Sequence, residues 1–278
     1  MSEQPVVAFQ GEHGAYSEQA VRQYFGSDVA TLPCRTFLAI TDALQSGQAQ
    51  YGMLPVENSL AGTVIPAYDL LMDYDLHIQA EAILRVRHCL MAPPGTALAD
   101  VRRVRSHPQA LMQCEATLRR MGLEPVEYYD TAGAARDLAA DPQPETAAIA
   151  SALAAETYDL DILVSGLEDQ DINFTRFFVL GREAPARQGA GKTSIILTTR
   201  HVPGALYAAL GELAKRDINM TKIESRLRRN RPWHYLFYVD FEGHEDDEPV
   251  REALLGILRH ASFLKVLGSY PAAQPQTQ

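Results

Sequence analysis

No run of about 18 uninterrupted apolar residues occurs in the 278-residue sequence, and its start, MSEQPVVAFQGEHG, has no cationic stretch leading into an apolar one. Those absences exclude a helical membrane span and a recognisable secretion signal, so a soluble, cytoplasmic protein is expected. Cysteine is scarce. Cys34, Cys89 and Cys114 are too scattered for a CxxC metal or redox motif, and three cannot all pair with one another. Free, reduced thiols are expected. No histidine, His88 beside Cys89 included, has a ligand partner at helical or hairpin spacing, so no metal is expected. A GxGxxG fingerprint is missing as well. Positive charge is in deficit: 25 Lys and Arg stand against 35 Asp and Glu, a net charge of −10, which argues against nucleic acid as a partner. The one basic run, RLRRNRPWH from Arg226 to His234, lies between strand-like segments ahead of an acidic run at Glu245 to Glu248. It reads as a solvated hairpin loop.

What is present is an ordinary globular composition, 46% hydrophobic and 22% charged, with enough chain for two domains. Short apolar runs alternate with helical patterns. PVVAF (Pro5 to Phe9) ends in a loop where Gly11 and Gly14 permit a tight turn and Ser17 is placed to cap the helix EQAVRQYF. YGMLPVEN leads through a loop into AGTVIPAYDLLMDY. VRRVRSHPQALMQCEATLRRMG passes from strand to polar turn to a helix ending at Gly122. EPVEYYD, AGAARDLAA, TAAIAS and ALAAETY continue the alternation. This order implies an α/β fold, whose ligands bind beyond the carboxyl ends of the strands.

Four polar loops sit at such ends: GEHGAYS, PVENSLAGT, SHPQALMQC and NFTRF. Each has a bland reading beside a chemical one. Glu57, Asn58 and Ser59 could form a turn that caps the next helix. Ser106 is a natural N-cap with Pro108 in the first helical turn, and Gln113, four residues beyond Gln109 and seven beyond Ser106, either shares their face or is solvated. In an extended segment Thr175 and Phe177 share one face and Arg176 takes the other. If Thr175 and Arg176 serve one site, the backbone alternation must break there; otherwise they are a strand-entry Thr and a surface Arg.

GREAPARQGAG (Gly181 to Gly191) lacks apolar periodicity and reads as a linker. Beyond it the order is βαββαβ over about 80 residues, a ferredoxin-like pattern, with a polar tail at 272–278. GAGKTS imitates the end of a phosphate-binding P-loop. The first Gly of that motif is replaced by Ala186, and a strand follows Lys192 where the motif needs a helix, so nucleotide binding is not expected.

Taken together, GEHGAYS, PVENSLAGT, SHPQALMQC, DTAGAA, AAIASALAAETY and NFTRF occur in the order and approximate spacing of prephenate dehydratases, and the match runs from about Val6 to Tyr270. PGALYAAL and INMTKIESR resemble the motifs of the ACT domain that makes these enzymes responsive to phenylalanine. The resemblance is to the monofunctional form. Two positions depart from the pattern. Ala15-Tyr16-Ser17 stands where Thr-Phe-Ser is common, which also resembles arogenate dehydratases, and Leu227 stands where the ACT motif has Pro.

The resemblance implies a carbon–oxygen lyase that converts prephenate to phenylpyruvate in phenylalanine biosynthesis, without a cofactor. It implies a two-lobed catalytic domain over 1–182, like a type II periplasmic binding protein, with lobe 1 at about 1–78 and 160–182 and lobe 2 at about 79–159. The linker would be 183–191 and the ACT domain 192–271. Thr175 would donate to the departing hydroxyl, with Glu57 a candidate proton source and Asn58, Ser106 and Gln113 neutral donors in the catalytic set. Arg176 would grip a carboxylate, and Ser59, Phe177 and Gln109 would complete the substrate site. Phenylalanine would bind near Gly204, Ala205, Leu206, Asn219, Glu224 and Ser225, at an interface that makes a homodimer or homotetramer. Arogenate dehydration and a non-catalytic amino-acid-sensing module are the competing readings.

Overall fold

The computed structural model describes residues 4–187, 191–227 and 235–273. Residues 188–190 of the expected linker, 228–234 of the basic run and 274–278 of the tail lie outside the described residues. By packing the chain divides into two units, Met1–Ala67 with Ala82–Phe177, and Tyr68–Glu81 with Phe178–Gln278.

The elements begin with β1 (Val6–Gln10), α1 (Tyr16–Phe25), β2 (Ala30–Cys34), α2 (Phe37–Gln45), β3 (Tyr51–Asn58), β4 (Gly62–Thr63), α3 (Ile65–Asp73) and β5 (His77–Arg85). There follow β6 (Cys89–Ala92), β7 (Arg103–Ser106), α4 (Pro108–Gln113), α5 (Glu115–Met121), β8 (Glu124–Glu127), α6 (Thr131–Ala140), β9 (Thr146–Ala150), α7 (Ala152–Tyr158), β10 (Asp161–Ser165) and β11 (Phe174–Gly181). One sheet has the order β2-β1-β3-β11-β5, with β4 attached to β3, and a second has the order β10-β6-β9-β7-β8. Parallel pairing of β1 with β2 and β3 explains why Val7, Ala8 and Phe9 form an unbroken buried run, since helices cover both faces of such a sheet.

The lobe boundaries differ from expectation. Residues 77–80 lie inside β5, which belongs to the first sheet, so the chain changes sheets between Arg85 and Cys89. It returns between Ser165 and Phe174, after β10 has joined the second sheet. The two connectors are stitched together: Val86 N–H donates to the Asn173 carbonyl (2.8 Å), Leu167 N–H to the His88 carbonyl (3.0 Å), and His88 N–H to Glu168 (2.8 Å).

Two caps also differ. Helix α1 starts at Tyr16 with Ala15 at its N-cap, and buried Ser17 lies inside it; Glu18, in the first turn, reaches back to accept the Gly14 N–H at 2.6 Å. His107, rather than Ser106, caps α4 by accepting from Gln109 N–H. The helix expected to run to Gly122 breaks at Cys114 (φ −115°, ψ 10°). Asp169 holds the break open, taking the Ala116 and Thr117 N–H groups while its own N–H donates to the Gln113 carbonyl at 2.8 Å. Gln113 thus ends a helix instead of riding along one.

In the second unit β12 (Lys192–Thr199), α8 (Ala205–Ala214), β13 (Met220–Leu227), β14 (Tyr235–Glu242), α9 (Glu248–His260) and β15 (Ala261–Tyr270) give the expected βαββαβ order in an antiparallel sheet, β13-β14-β12-β15. Its core is Ile195, Leu197, Ala209, Leu213, Val239, Phe241 and Ile257. Residues 68–81, expected with the catalytic domain, pack here. Arg226 pairs with Asp69 (2.9 Å), Tyr238 donates to the Tyr68 carbonyl (3.2 Å), and Lys265 donates to the Leu71 and Tyr74 carbonyls (3.0 and 2.6 Å). Lys192, the lysine of the P-loop imitation, opens a strand and pairs with buried Glu81 at 2.8 Å. Among the described residues no helix is long and apolar enough to cross a membrane, and the three cysteines are buried free thiols.

Candidate active site

Six polar side chains of the first unit form one continuous hydrogen-bonded chain. Tyr16 Oη lies 2.7 Å from His88 Nδ1, and His88 Nε2 lies 2.8 Å from Gln113 Oε1. Asn173 Nδ2 donates to the same Gln113 oxygen (2.9 Å), Asn58 Nδ2 donates to Asn173 Oδ1 (2.9 Å), and Asn58 Nδ2 also donates to Thr175 Oγ1 (2.9 Å). Tyr16 comes from α1, Asn58 from the end of β3, Gln113 from the end of α4 and Thr175 from β11, while His88 and Asn173 sit in the two connectors between sheets.

The direction of the bonds from Asn58 to His88 Nε2 follows from the backbone. Asn58 Oδ1 accepts the Leu60 and Ala61 N–H groups (3.0 and 2.8 Å), so its amide cannot be turned around. Its nitrogen therefore faces Asn173 and Thr175, Asn173 must present its oxygen to Asn58 and its nitrogen to Gln113, and Gln113 must present its oxygen. A glutamine oxygen only accepts, so His88 carries its proton on Nε2. A neutral His88 then accepts at Nδ1 from the Tyr16 hydroxyl. Burial depresses the His88 pKa below the ordinary imidazole value, outweighing the opposing Gln113 bond and Glu168 charge. Burial also raises the Tyr16 phenol well above its usual value, with nearby Cys89, Cys114 and Glu168 adding to the effect, so the tyrosine keeps its proton.

Two donors are left over. Thr175 Oγ1 receives the Asn58 N–H, and its own O–H meets no protein acceptor among the described residues. Gln113 Nε2 is likewise unspent, because both of its bonds fall on the oxygen. Ser59 braces this end: it accepts from Phe174 N–H (2.9 Å), donates to the Ile172 carbonyl, and sends its N–H to the Phe174 carbonyl (2.8 Å).

Other expected site residues stand elsewhere. Thr175 and Arg176 are successive residues of β11, and side chains of successive residues point to opposite faces of extended backbone. Arg176 pairs with Glu57 at 3.7 Å, one step along from the Asn58–Thr175 contact. Glu57, expected as a proton source beside Thr175, is an ion-pair partner of Arg176. Phe177 is fully buried and serves the core. Ser106 is buried too, and its hydroxyl proton goes to the Ile149 carbonyl (2.6 Å), which spends it as a donor. Gln109 is half-buried on α4 and outside the hydrogen-bonded chain. Tyr16, His88 and Asn173 were missed as site residues. A polar residue directly before a fully buried strand was the available signal at His88, before Cys89–Ala92.

Around Gly14 the β1–α1 loop packs against α7. With φ of 83°, a Cβ at Gly14 would stand 2.6 Å from Ala154 Cα, and Ser151 donates to the Gly14 carbonyl at 2.5 Å. Nearby, Glu12 pairs with Arg136 at 2.8 Å, bordering a cavity of about 460 Å³ that Arg35, Tyr129 and Asp130 also line.

In the second unit, Gly204, Ala205 and Leu206 border a cavity of about 560 Å³ at the start of α8. Asn219 faces a separate groove with Tyr207 and Met220, and donates to Glu242 (3.1 Å). Glu224 and Ser225 lie on β13, an edge strand. Gly204 to Leu206 and Asn219 thus border different cavities. Leu227 closes β13 opposite Tyr235, and residues 228–234 are outside the described residues.

Residues 7–185 match the family model for prephenate dehydratase, and residues 193–259 match that for the ACT domain. The chain is 44% identical to arogenate dehydratase/prephenate dehydratase 2, chloroplastic, of Arabidopsis thaliana, covering 95% of this chain and 72% of the relative. It is 40% identical to a bifunctional N-acyl-homoserine lactone acylase/prephenate dehydratase of Komagataeibacter europaeus, covering 98% of each. The crystal structure of prephenate dehydratase in complex with L-Phe from Arthrobacter aurescens superposes with a TM-score of 0.88 at 32% identity, covering 98% of this chain and 92% of that one.

Proposed function

The chain belongs to the prephenate dehydratase family and carries an ACT domain, and from that premise we propose that it converts prephenate to phenylpyruvate under control by phenylalanine. The observation that carries this reading is the unspent O–H of Thr175, oriented by an Asn58 amide that two backbone N–H groups hold in place.

In the reaction the ring carboxylate leaves as carbon dioxide, its electron pair enters the ring, and the ring hydroxyl departs, taking one proton to become water. Aromatisation supplies the driving force. The remaining barrier lies in expelling hydroxide, which a positioned donor at the departing oxygen lowers by roughly 10²- to 10⁴-fold in rate. Thr175 donates there. Gln113 Nε2 offers donors for an oxygen of the substrate, and the Glu57–Arg176 pair supports the strands that hold Asn58 and Thr175 in line. Electrons move only within the substrate, so the reaction calls for no cofactor.

The test is phenylpyruvate formation from prephenate by the purified protein. The plant relative's name carries both activities, so arogenate is offered in parallel; a much higher kcat/KM for arogenate would transfer the same chemistry to that substrate. For the second unit, phenylalanine would bind at Gly204 to Leu206 together with Asn219, Glu224 and Ser225 of a second copy, side by side in a homodimer or homotetramer. Their separation within one chain supports an intermolecular site. Calorimetry at millimolar phenylalanine tests it, and no heat of binding would sink it.

A further inference from the structure

We propose that His88 is a positioning residue for this reaction, holding the Gln113 amide so that both of its N–H donors face the substrate, with Tyr16 bracing the imidazole at its other nitrogen. The inference rests on the dehydratase reading and extends it to residues that touch no substrate.

A glutamine amide turned by 180° about its last torsion occupies nearly the same space, so only its partners decide which atom faces outward. Gln113 has two such partners, His88 Nε2 at 2.8 Å and Asn173 Nδ2 at 2.9 Å, both on its oxygen. Were His88 protonated only on Nδ1, its bare Nε2 would stand against that oxygen. Turning the amide would relieve the repulsion and aim an oxygen at an anionic substrate. The Tyr16 hydroxyl, 2.7 Å from Nδ1 and 3.1 Å from the Arg87 carbonyl, holds the Nδ1 side of the ring in place.

The imidazole cannot swing away. It is 2% exposed, its N–H is held by Glu168 and its carbonyl by Leu167 N–H, and Tyr16 packs edge-on against the ring at 5.5 Å between centroids. The charged or titratable groups around it are Tyr16 from α1, Glu168 in the return connector, and Arg87 and Cys89 beside it in sequence.

The experiment is a double-mutant cycle on the full chain, reading KM and kcat for prephenate with His88→Leu, Gln113→Ala and the pair. His88→Leu should raise KM about 10-fold with kcat within about threefold, the mark of a lost ground-state contact. His88→Gln, whose amide nitrogen falls near the imidazole Nε2, should restore KM to within about threefold of wild type. In the Gln113→Ala background His88→Leu should cost nothing more, because the group it positions is gone.

Additive effects across the cycle, or equal damage from His88→Gln and His88→Leu in folded protein, would overturn the proposal. Should His88→Leu fail to fold, Tyr16→Phe takes its place: it deletes one hydroxyl and should raise KM about threefold only when Gln113 is present. An effect of Tyr16→Phe that persists without Gln113 refutes the role. A wild-type protein inert toward both prephenate and arogenate sinks the dehydratase reading itself, whereas an active wild type with an additive cycle sinks only the role of His88.

Discussion

The Asn58 amide nitrogen lies 2.9 Å from the Thr175 hydroxyl oxygen, and it can only give to that oxygen, because the amide's other end is fixed by Leu60 and Ala61 N–H. Thr175 is left with a proton to donate. Replacing Thr175 by Val keeps the shape and deletes that proton, and kcat for phenylpyruvate formation should fall on the order of 10²-fold or more. Asn58→Asp should do comparable harm by a different route, since a carboxylate would take the Thr175 proton for itself. Unchanged circular dichroism in both variants, with turnover near wild type, would show the donor role to be wrong.

Ser106 makes a separate case. Its hydroxyl is fully buried and donates to the Ile149 carbonyl at 2.6 Å, tying β7 to the end of β9. Ser106→Ala should lower the unfolding free energy by about 1–3 kcal/mol, the cost of leaving a buried carbonyl unmatched. Urea unfolding measures it, and a midpoint equal to wild type would contradict the bond.

Acid should act on the fold through His88. Burial keeps the folded imidazole neutral below the pH at which it would charge in the unfolded chain. Folded protein therefore binds fewer protons there, and the stability tied to His88, full above the ordinary value near 6.5, is lost as pH falls through it toward the lower folded value. Urea midpoints from pH 7.5 to 5 should decline more steeply for wild type than for His88→Gln. Parallel slopes would mean that another group carries the acid sensitivity.

In the second unit the Glu81 carboxylate is buried and satisfied by Lys192 Nζ (2.8 Å) and Ala273 N–H (2.9 Å). Lys192→Met removes the cation beside that buried charge and should cost about 3–5 kcal/mol. Adding Glu81→Met should recover a large part, because a buried pair replaced by apolar residues is often neutral. Thermal melts of the two variants check both statements, and a Lys192→Met protein as stable as wild type would refute the first.

Much of the architecture was legible because it is written in periodicity and punctuation. The alternation of apolar runs with helical patterns gave the α/β order, and the spacing after Gly191 gave βαββαβ. Asn58, Gln113 and Thr175 were also within reach, each at a strand or loop end. What escaped was decided by contacts between residues far apart in sequence. The break at Cys114 depends on Asp169, and the lobe boundary depends on which strands β5 and β10 pair with. No local pattern reveals either. Strand geometry said that Thr175 and Arg176 could not both face one ligand in an extended strand; both lie within β11, and Arg176 pairs with Glu57. His88 and Asn173 sit in connectors, where side-chain direction follows no repeat.

The turn from Asn58 to Ala61 contributes two main-chain N–H groups and no catalytic side chain beyond Asn58 itself. Anyone grafting this constellation onto another scaffold would be tempted to copy the six side chains and discard the turn. The transplanted amides would then be free to choose either direction, and half of the resulting arrangements would point an oxygen where a donor is needed. The end of β3 and the three turn residues after it must therefore travel with the side chains if the site is not to be scrambled.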